Sequence, residues 1–230
     1  MLDARMRRLL APALDSAGVR LSDAGLPPLA LTGAGWLVGA GACVAVASHH
    51  WWVGLVLWLA NRVLDGLDGP VARRRGATDL GGFLDIVADF SIYAGFLVAV
   101  AVAVPDARLA CVALLTAYYI SGTAFLALSS LIERRGNTGG DGRSLRFIGG
   151  LAEGTETVAV YVLFCLLPTH AATIAWAFTA AVAITAAQRV LLGVRTLSRP
   201  AAGPAADAVA GLVHRPRTGW RFVTTDQSTQ

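Results

Sequence analysis

Asp65, Asp68, Asp85 and Asp89 fall within one stretch, NRVLDGLDGPVARRRGATDLGGFLDIVAD, at the edges of segments apolar enough to span a membrane. On a helix, Asp65 and Asp68 stand at i and i+3, and Asp85 and Asp89 at i and i+4, so each pair projects from one face of its own helix. The arginine-rich turn between the pairs is short enough to fold the helices back on each other, gathering all four carboxylates around one cavity. An ionised side chain in or near hydrocarbon costs roughly 3 kcal/mol unless it is paired or metal-bound, so the cluster demands cations. Hard oxygen donors in this number suit Mg²⁺ or Mn²⁺, as two divalent ions. The competing reading is a salt-bridge network with Arg62 and Arg73 to Arg75, or helix capping; two regular spacings flanked by glycines favour the metal site. Asp79 instead fits a helix N-cap.

Gly66, Gly69 and Ala72 add little bulk beside these carboxylates and would let a ligand approach the backbone. Arg73, four residues beyond Gly69, lies on the glycine face if the helix continues that far, where its guanidinium can pair with phosphate. Metal, arginine and small residues together suggest a diphosphate. Asn61 and Arg62, one turn before Asp65, are placed to orient it or to touch a nucleotide. Gly81 and Gly82 read as positions of close helix packing.

The elements that must position these residues are membrane helices. The chain has 230 residues, 55% hydrophobic and 15% charged, with a mean hydropathy of +0.59, too apolar for an ordinary soluble domain. The spacing predicts an all-α polytopic membrane protein with six transmembrane helices near 29–48, 51–72, 79–104, 107–133, 147–167 and 170–196. An amphipathic leader over 1–27 precedes a catalytic domain over 28–196, and a disordered tail over 197–230 follows. All nineteen basic residues are arginine. They gather before the first helix, after the second and fourth, and at the end of the chain, while the other three loops hold only Arg108. By the positive-inside rule both termini and the aspartates face the cytoplasm. No cleavable signal is evident, because the first long apolar run begins only near Pro28. Cys43, Cys111 and Cys165 share no metal-ligand spacing and read as small apolar fillers, and GNTGGDGRS over 136–144 reads as a flexible loop.

The aspartate stretch resembles the motif of the CDP-alcohol phosphotransferases (CDP-alcohol phosphatidyltransferases), which runs D-x2-D-G-x2-A-R, then x8, then G-x3-D-x3-D. Here the matching residues are Asp65, Asp68, Gly69, Ala72, Arg73, Gly81, Asp85 and Asp89, with seven residues between Arg73 and Gly81 in place of eight. The resemblance implies that Asp65, Asp68, Asp85 and Asp89 hold two divalent ions on the diphosphate of CDP-diacylglycerol. It implies that Gly69, Ala72 and Arg73 line the cytidine and phosphate pocket, and that Asp89 doubles as general base toward a small alcohol acceptor. It also implies a homodimer in the membrane, in phospholipid biosynthesis at the cell (inner) membrane; nucleic acid is not an expected partner. Thr32 resembles a threonine near the family's nucleotide site, although a lone Thr is more often a cap or packing residue.

Arg134, Arg135, Arg143 and Arg146 are candidates for a phosphorylated acceptor or simple topogenic charge, and Glu153 and Glu156 for an acceptor-lining pair. Two other classes remain open at this point. UbiA-type prenyltransferases also hold diphosphate through aspartates, but on motifs far apart. A cation transporter would carry acids reaching both sides, whereas the opposite-side loops hold only Asp106.

Overall fold

The computed structural model describes residues 2–134 and 154–198, with side chains from residue 11 onward. Contacts divide the chain into a unit Met1–Gly193 and a second unit Val194–Gln230; the first is described below. The predicted 136–144 loop, Arg135, Arg143, Arg146, Glu153 and the 199–230 tail lie outside the described residues.

Every regular element described is helical: α1 (Leu2–Asp23), α2 (Pro28–Ala47), α3 (Trp51–Arg75), α4 (Asp79–Ala103), α5 (Arg108–Arg134), α6 (Gly154–Leu166) and α7 (Ala171–Leu197). Four of these segments are long and apolar enough to cross a membrane: α2, α4, α5 with the short 3₁₀ turn before it, and α7 with its own. α3 is as long as α4 but carries its charges in its second half, and the described part of α6 is a shorter apolar helix. The chain is a polytopic all-α membrane protein.

Local chemistry explains the boundaries. Pro28 opens α2 in the first turn, where its missing N–H is not needed. α4 is capped by Thr78, whose hydroxyl accepts from the Gly81 N–H at 3.1 Å, so the predicted N-cap at Asp79 is off by one residue. Asp79 sits instead in the first turn, where its charge meets the positive end of the helix dipole. α3 ends at Gly76, whose φ of 97° favours glycine. Only 76–78 separate α3 from α4.

α2 is the closest neighbour of both α3 and α4. Its inner face carries Gly35, Gly39, Ala42 and Val46, all buried. Without a hydrophobic gradient between protein and lipid, such small residues let helices approach until packing holds them. α3 and α4 face each other across larger side chains. Trp58, Phe96, Tyr161 and Phe164 are fully buried, with the Tyr161 ring 4.9 Å from Trp58 and 4.8 Å from Phe96. The Tyr161 hydroxyl donates to the Tyr93 carbonyl at 2.8 Å, fastening α6 to α4. Many large apolar side chains point outward instead, among them Leu37, Val44, Val56 and Leu109, as a lipid-facing surface requires.

α1 packs along α3, with Gly18 against the ring of Pro70: a Cβ there would lie 2.5 Å from the Pro70 Cβ. Gly66 also faces α1, since a Cβ would meet Leu14 at 3.2 Å. Its smallness serves helix packing, not the ligand approach predicted for it. The reverse holds at Gly82, where a Cβ would meet nothing within 4 Å, and at Gly81 it would meet only the nearby Thr78 hydroxyl, at 3.1 Å. Neither glycine packs against another helix among the described residues, contrary to expectation.

Gly39 is the tightest three-helix contact: a Cβ would lie 2.9 Å from both Asn61 on α3 and Ile92 on α4. Gly39→Ala should therefore lower thermal stability in detergent by about 1–3 kcal/mol, despite the better helix propensity of Ala. Gly33→Ala, with no neighbour within 4 Å, should be neutral or slightly stabilising in the same melt.

Candidate active site

One narrow cleft opens where α2, α3 and α4 converge. α3 contributes Asn61, Asp65 and Asp68, α4 contributes Asp85, Ala88, Asp89 and Ile92, and α2 contributes Leu31, Thr32, Gly35 and Trp36. All four predicted aspartates are in it. Oxygen atoms of Asp65, Asp68 and Asp85 all lie within 4.8 Å of one another. Asp68 is the most buried of the four, at 8% exposure.

The i, i+3 and i, i+4 spacings bring the pairs together as the helical faces require, and contacts across the cleft run in opposite senses along α3 and α4: Trp58 meets Tyr93, Arg62 meets Asp89. Asp89 is turned toward Arg62, whose Nη2 donates to it at 3.0 Å. The same guanidinium lies 3.5 Å from Asp65 and donates to the Tyr93 hydroxyl at 2.7 Å and to the Asn61 side-chain oxygen at 2.6 Å and 2.9 Å. Its Cζ lies 4.8 Å and 4.7 Å from the Trp58 and Tyr93 ring centroids, which are themselves 5.5 Å apart, so the two rings together form one aromatic wall beside it. Asn61 is buried and donates in turn to the Gly35 carbonyl at 2.8 Å, tying this arrangement to α2.

Thr32 donates to Asp68 at 3.0 Å, so it orients a site carboxylate and is more than a cap or filler. Trp36 donates to Ser91 at 2.9 Å and fixes the α2–α4 side of the cleft. The contribution of α2 was the part sequence reasoning underweighted. A signal existed, because Thr32, Gly35, Trp36 and Gly39 recur at helical spacing on one stripe.

The nucleotide-side residues are placed differently. α3 continues to Arg75, so Arg73 does lie beside Gly69, where a Cβ would be 3.5 Å from Arg73 Nη1. Yet Arg73 is exposed and pairs with Asp15 of α1 at 3.0 Å. Arg75 donates to the Gly25 and Ser22 carbonyls and holds the end of α1. Gly69, Ala72 and Arg73 are outside the lining of the cleft itself. Glu156 is half-buried in the first turn of α6. A second groove, between α5 and α7, is lined by alanines, threonines and branched aliphatics with no titratable side chain.

The charge balance of the cleft is unequal. Counted as ionised, the four carboxylates outnumber the one guanidinium beside them by three, and carboxylates about 5 Å apart repel by roughly 3 kcal/mol at an effective dielectric of about 20. A converging set of hard, anionic oxygens with this deficit fits divalent cations of the Mg²⁺ or Mn²⁺ type.

Comparisons with known proteins agree with this geometry. The model of the CDP-alcohol phosphatidyltransferase family matches residues 26–187. The chain is 40% identical over 203 residues to the inner membrane protein YnjF of Escherichia coli (strain K12), covering 86% of this chain and 97% of that protein. Its fold is similar to the crystal structure of Mycobacterium tuberculosis phosphatidylinositol phosphate synthase (PgsA1) with CDP-DAG bound, at a TM-score of 0.55 and 22% identity, covering 79% of this chain and 93% of the other. The family match spans the whole cleft and decides among the phosphotransferase, prenyltransferase and transporter readings. The chain belongs to the CDP-alcohol phosphatidyltransferase family, and is a membrane phosphotransferase of phospholipid biosynthesis.

Proposed function

We propose that this protein transfers the phosphatidyl group of CDP-diacylglycerol to a small alcohol, releasing CMP, at the cytoplasmic leaflet of the cell (inner) membrane. The observation that carries the reading is the convergence of Asp65, Asp68 and Asp85 within 4.8 Å, with Asp89 on the same cleft, in the order of the family motif and with its spacing within each pair. The similarity to a fold seen with CDP-DAG bound supports the donor. The arginine distribution supports the orientation, since the last turn of α3 holds Arg73, Arg74 and Arg75 while the region joining α4 to α5 holds only Arg108, at the start of α5.

In this reading Asp65, Asp68, Asp85 and Asp89 hold two divalent ions, and Thr32 keeps Asp68 turned toward them. Held by those carboxylates, such ions would supply Lewis-acid stabilisation of the diphosphate and of the negative charge on the departing nucleotide. Asp89 takes the proton of the acceptor hydroxyl as that oxygen forms a bond to the lipid-side phosphorus and the bond from phosphorus to the CMP oxygen breaks. CMP leaves with the bonding pair, and no covalent enzyme intermediate is needed. Gly69 and Ala72 leave room for the cytidine, and Arg73 exchanges Asp15 for a phosphate. That exchange costs little, because the Arg73–Asp15 pair is solvent-exposed at both ends. The lipid tails stay in the bilayer while the head group enters between helix ends, which explains why the site is built on membrane helices.

Purified protein in detergent should release CMP from CDP-diacylglycerol with one member of an acceptor panel of glycerol 3-phosphate, inositol, inositol 1-phosphate, serine and ethanolamine. EDTA should stop the release and Mg²⁺ or Mn²⁺ restore it; release that survives chelation would overturn the metal-dependent reading. Asp89→Asn should lower kcat by about 10²–10⁴-fold with CDP-diacylglycerol affinity nearly kept, and unchanged turnover would remove Asp89 as the base. Thr32→Val, which keeps the shape but loses the bond to Asp68, should raise the Mn²⁺ concentration for half-maximal activity several-fold.

A further inference from the structure

Arg62 is outside the eight motif positions, which begin at Asp65, yet it makes more polar contacts than any other side chain around the cleft. Its side chain is only 11% exposed, and an arginine desolvated in a membrane helix is costly unless its donors are used. Here they are used in two distinct ways. Trp58, Tyr93 and Asn61 fix where the guanidinium sits, through two ring faces and bonds of 2.6–2.9 Å. The remaining edge faces the carboxylates, at 3.0 Å from Asp89 and 3.5 Å from Asp65. Asn61 is itself anchored to the Gly35 carbonyl, so the position of the cation is set by α2, α3 and α4 together.

We propose that Arg62 is a resident counter-cation of the site: clamped by Trp58, Tyr93 and Asn61, it holds Asp65 and Asp89 together and weakens the grip of those two carboxylates on divalent ions. The inference rests on the reading of the same carboxylates as ion ligands. Without Arg62, four aspartates would both repel one another and bind divalent cations tightly enough to slow exchange with substrate. With it, the cleft is assembled before any ion arrives, and Asp89 has a fixed partner that leaves one of its oxygens directed elsewhere. Arg62 is thus a positioning residue, acting on the reacting atoms through Asp89.

The test uses full-length protein in detergent with the variants Arg62→Gln, Arg62→Lys, Asp89→Asn and the double variant Arg62→Gln/Asp89→Asn. In EDTA, Arg62→Gln should lower Tm, and adding Asp89→Asn should recover part of that loss, because the charge left unpaired is then removed. In a Mn²⁺ titration followed by electron paramagnetic resonance, Arg62→Gln should bind about tenfold tighter than the native protein, whereas Arg62→Lys, which keeps the charge, should stay near native affinity. A purely structural arginine predicts the opposite pattern. Additive Tm losses in the double variant, or Mn²⁺ affinity unchanged or weaker in Arg62→Gln, would overturn the proposal. If the native protein binds no Mn²⁺, the two-ion reading is what fails, and the Tm cycle in EDTA alone decides the role of Arg62.

Discussion

The arrangement of this protein turns on an excess of negative charge at the end of a helical bundle. Four carboxylates share a cleft with one guanidinium, and neither lipid nor the surrounding alanines and glycines can offset the remainder. Around that excess the structure is organised in shells. Arg62 bridges Asp65 and Asp89, Thr32 donates to Asp68, and the aromatic layer of Trp58, Tyr93, Phe96 and Tyr161 lies beneath. Trp58 and Tyr93 pack against Arg62, and the aromatic layer separates the polar cleft from the apolar body of the bundle. Divalent cations are compatible with such a cluster of carboxylates.

The three helices divide this task by side-chain size. α2 brings small residues, so its backbone comes close to both partners, and its glycine carbonyl at Gly35 becomes an acceptor for Asn61. α3 and α4 bring the large and charged residues, which keep those two helices apart and leave space between their ends. A cleft of this kind follows from the alternation of close and wide helix contacts and needs no irregular backbone within the spans, which suits a setting where unpaired peptide groups are expensive.

Much of this was legible in the sequence. Among the described residues the helix ends fall within a few residues of the apolar runs that imply them, the predicted start at 147 lying outside those residues, and the four aspartates share one cleft because spacing on a helix dictates facing. What escaped depended on contacts between residues far apart in sequence. Gly66 packs against Leu14 of α1, and Thr32 donates to Asp68 at 3.0 Å, contacts that join segments far apart in sequence and leave no local signal of the partner. Arg73 keeps its predicted face, but Asp15 on α1 was not foreseeable as its partner, since nothing in the leader's composition fixes its register on α3. The capping error at Asp79 has a local cause: Thr78 and Asp79 both favour that role, and only backbone geometry chooses between adjacent candidates.

The shortened spacing of the motif is absorbed where it does no harm. α3 runs unbroken to Arg75 and α4 begins at Asp79, so the contraction falls on the connection and on the first turn of α4. None of residues 74–80 lines the cleft. Asp68 is two helical turns before the end of α3 and Asp85 nearly two turns into α4, so neither lies in the turn that joins their helices, and Asp68 is tied to α2 by the bond from Thr32. Gly76, with its positive φ, lets the chain reverse in three residues. The carboxylates therefore keep the convergence that the family motif encodes even though the link between its two halves is one residue shorter.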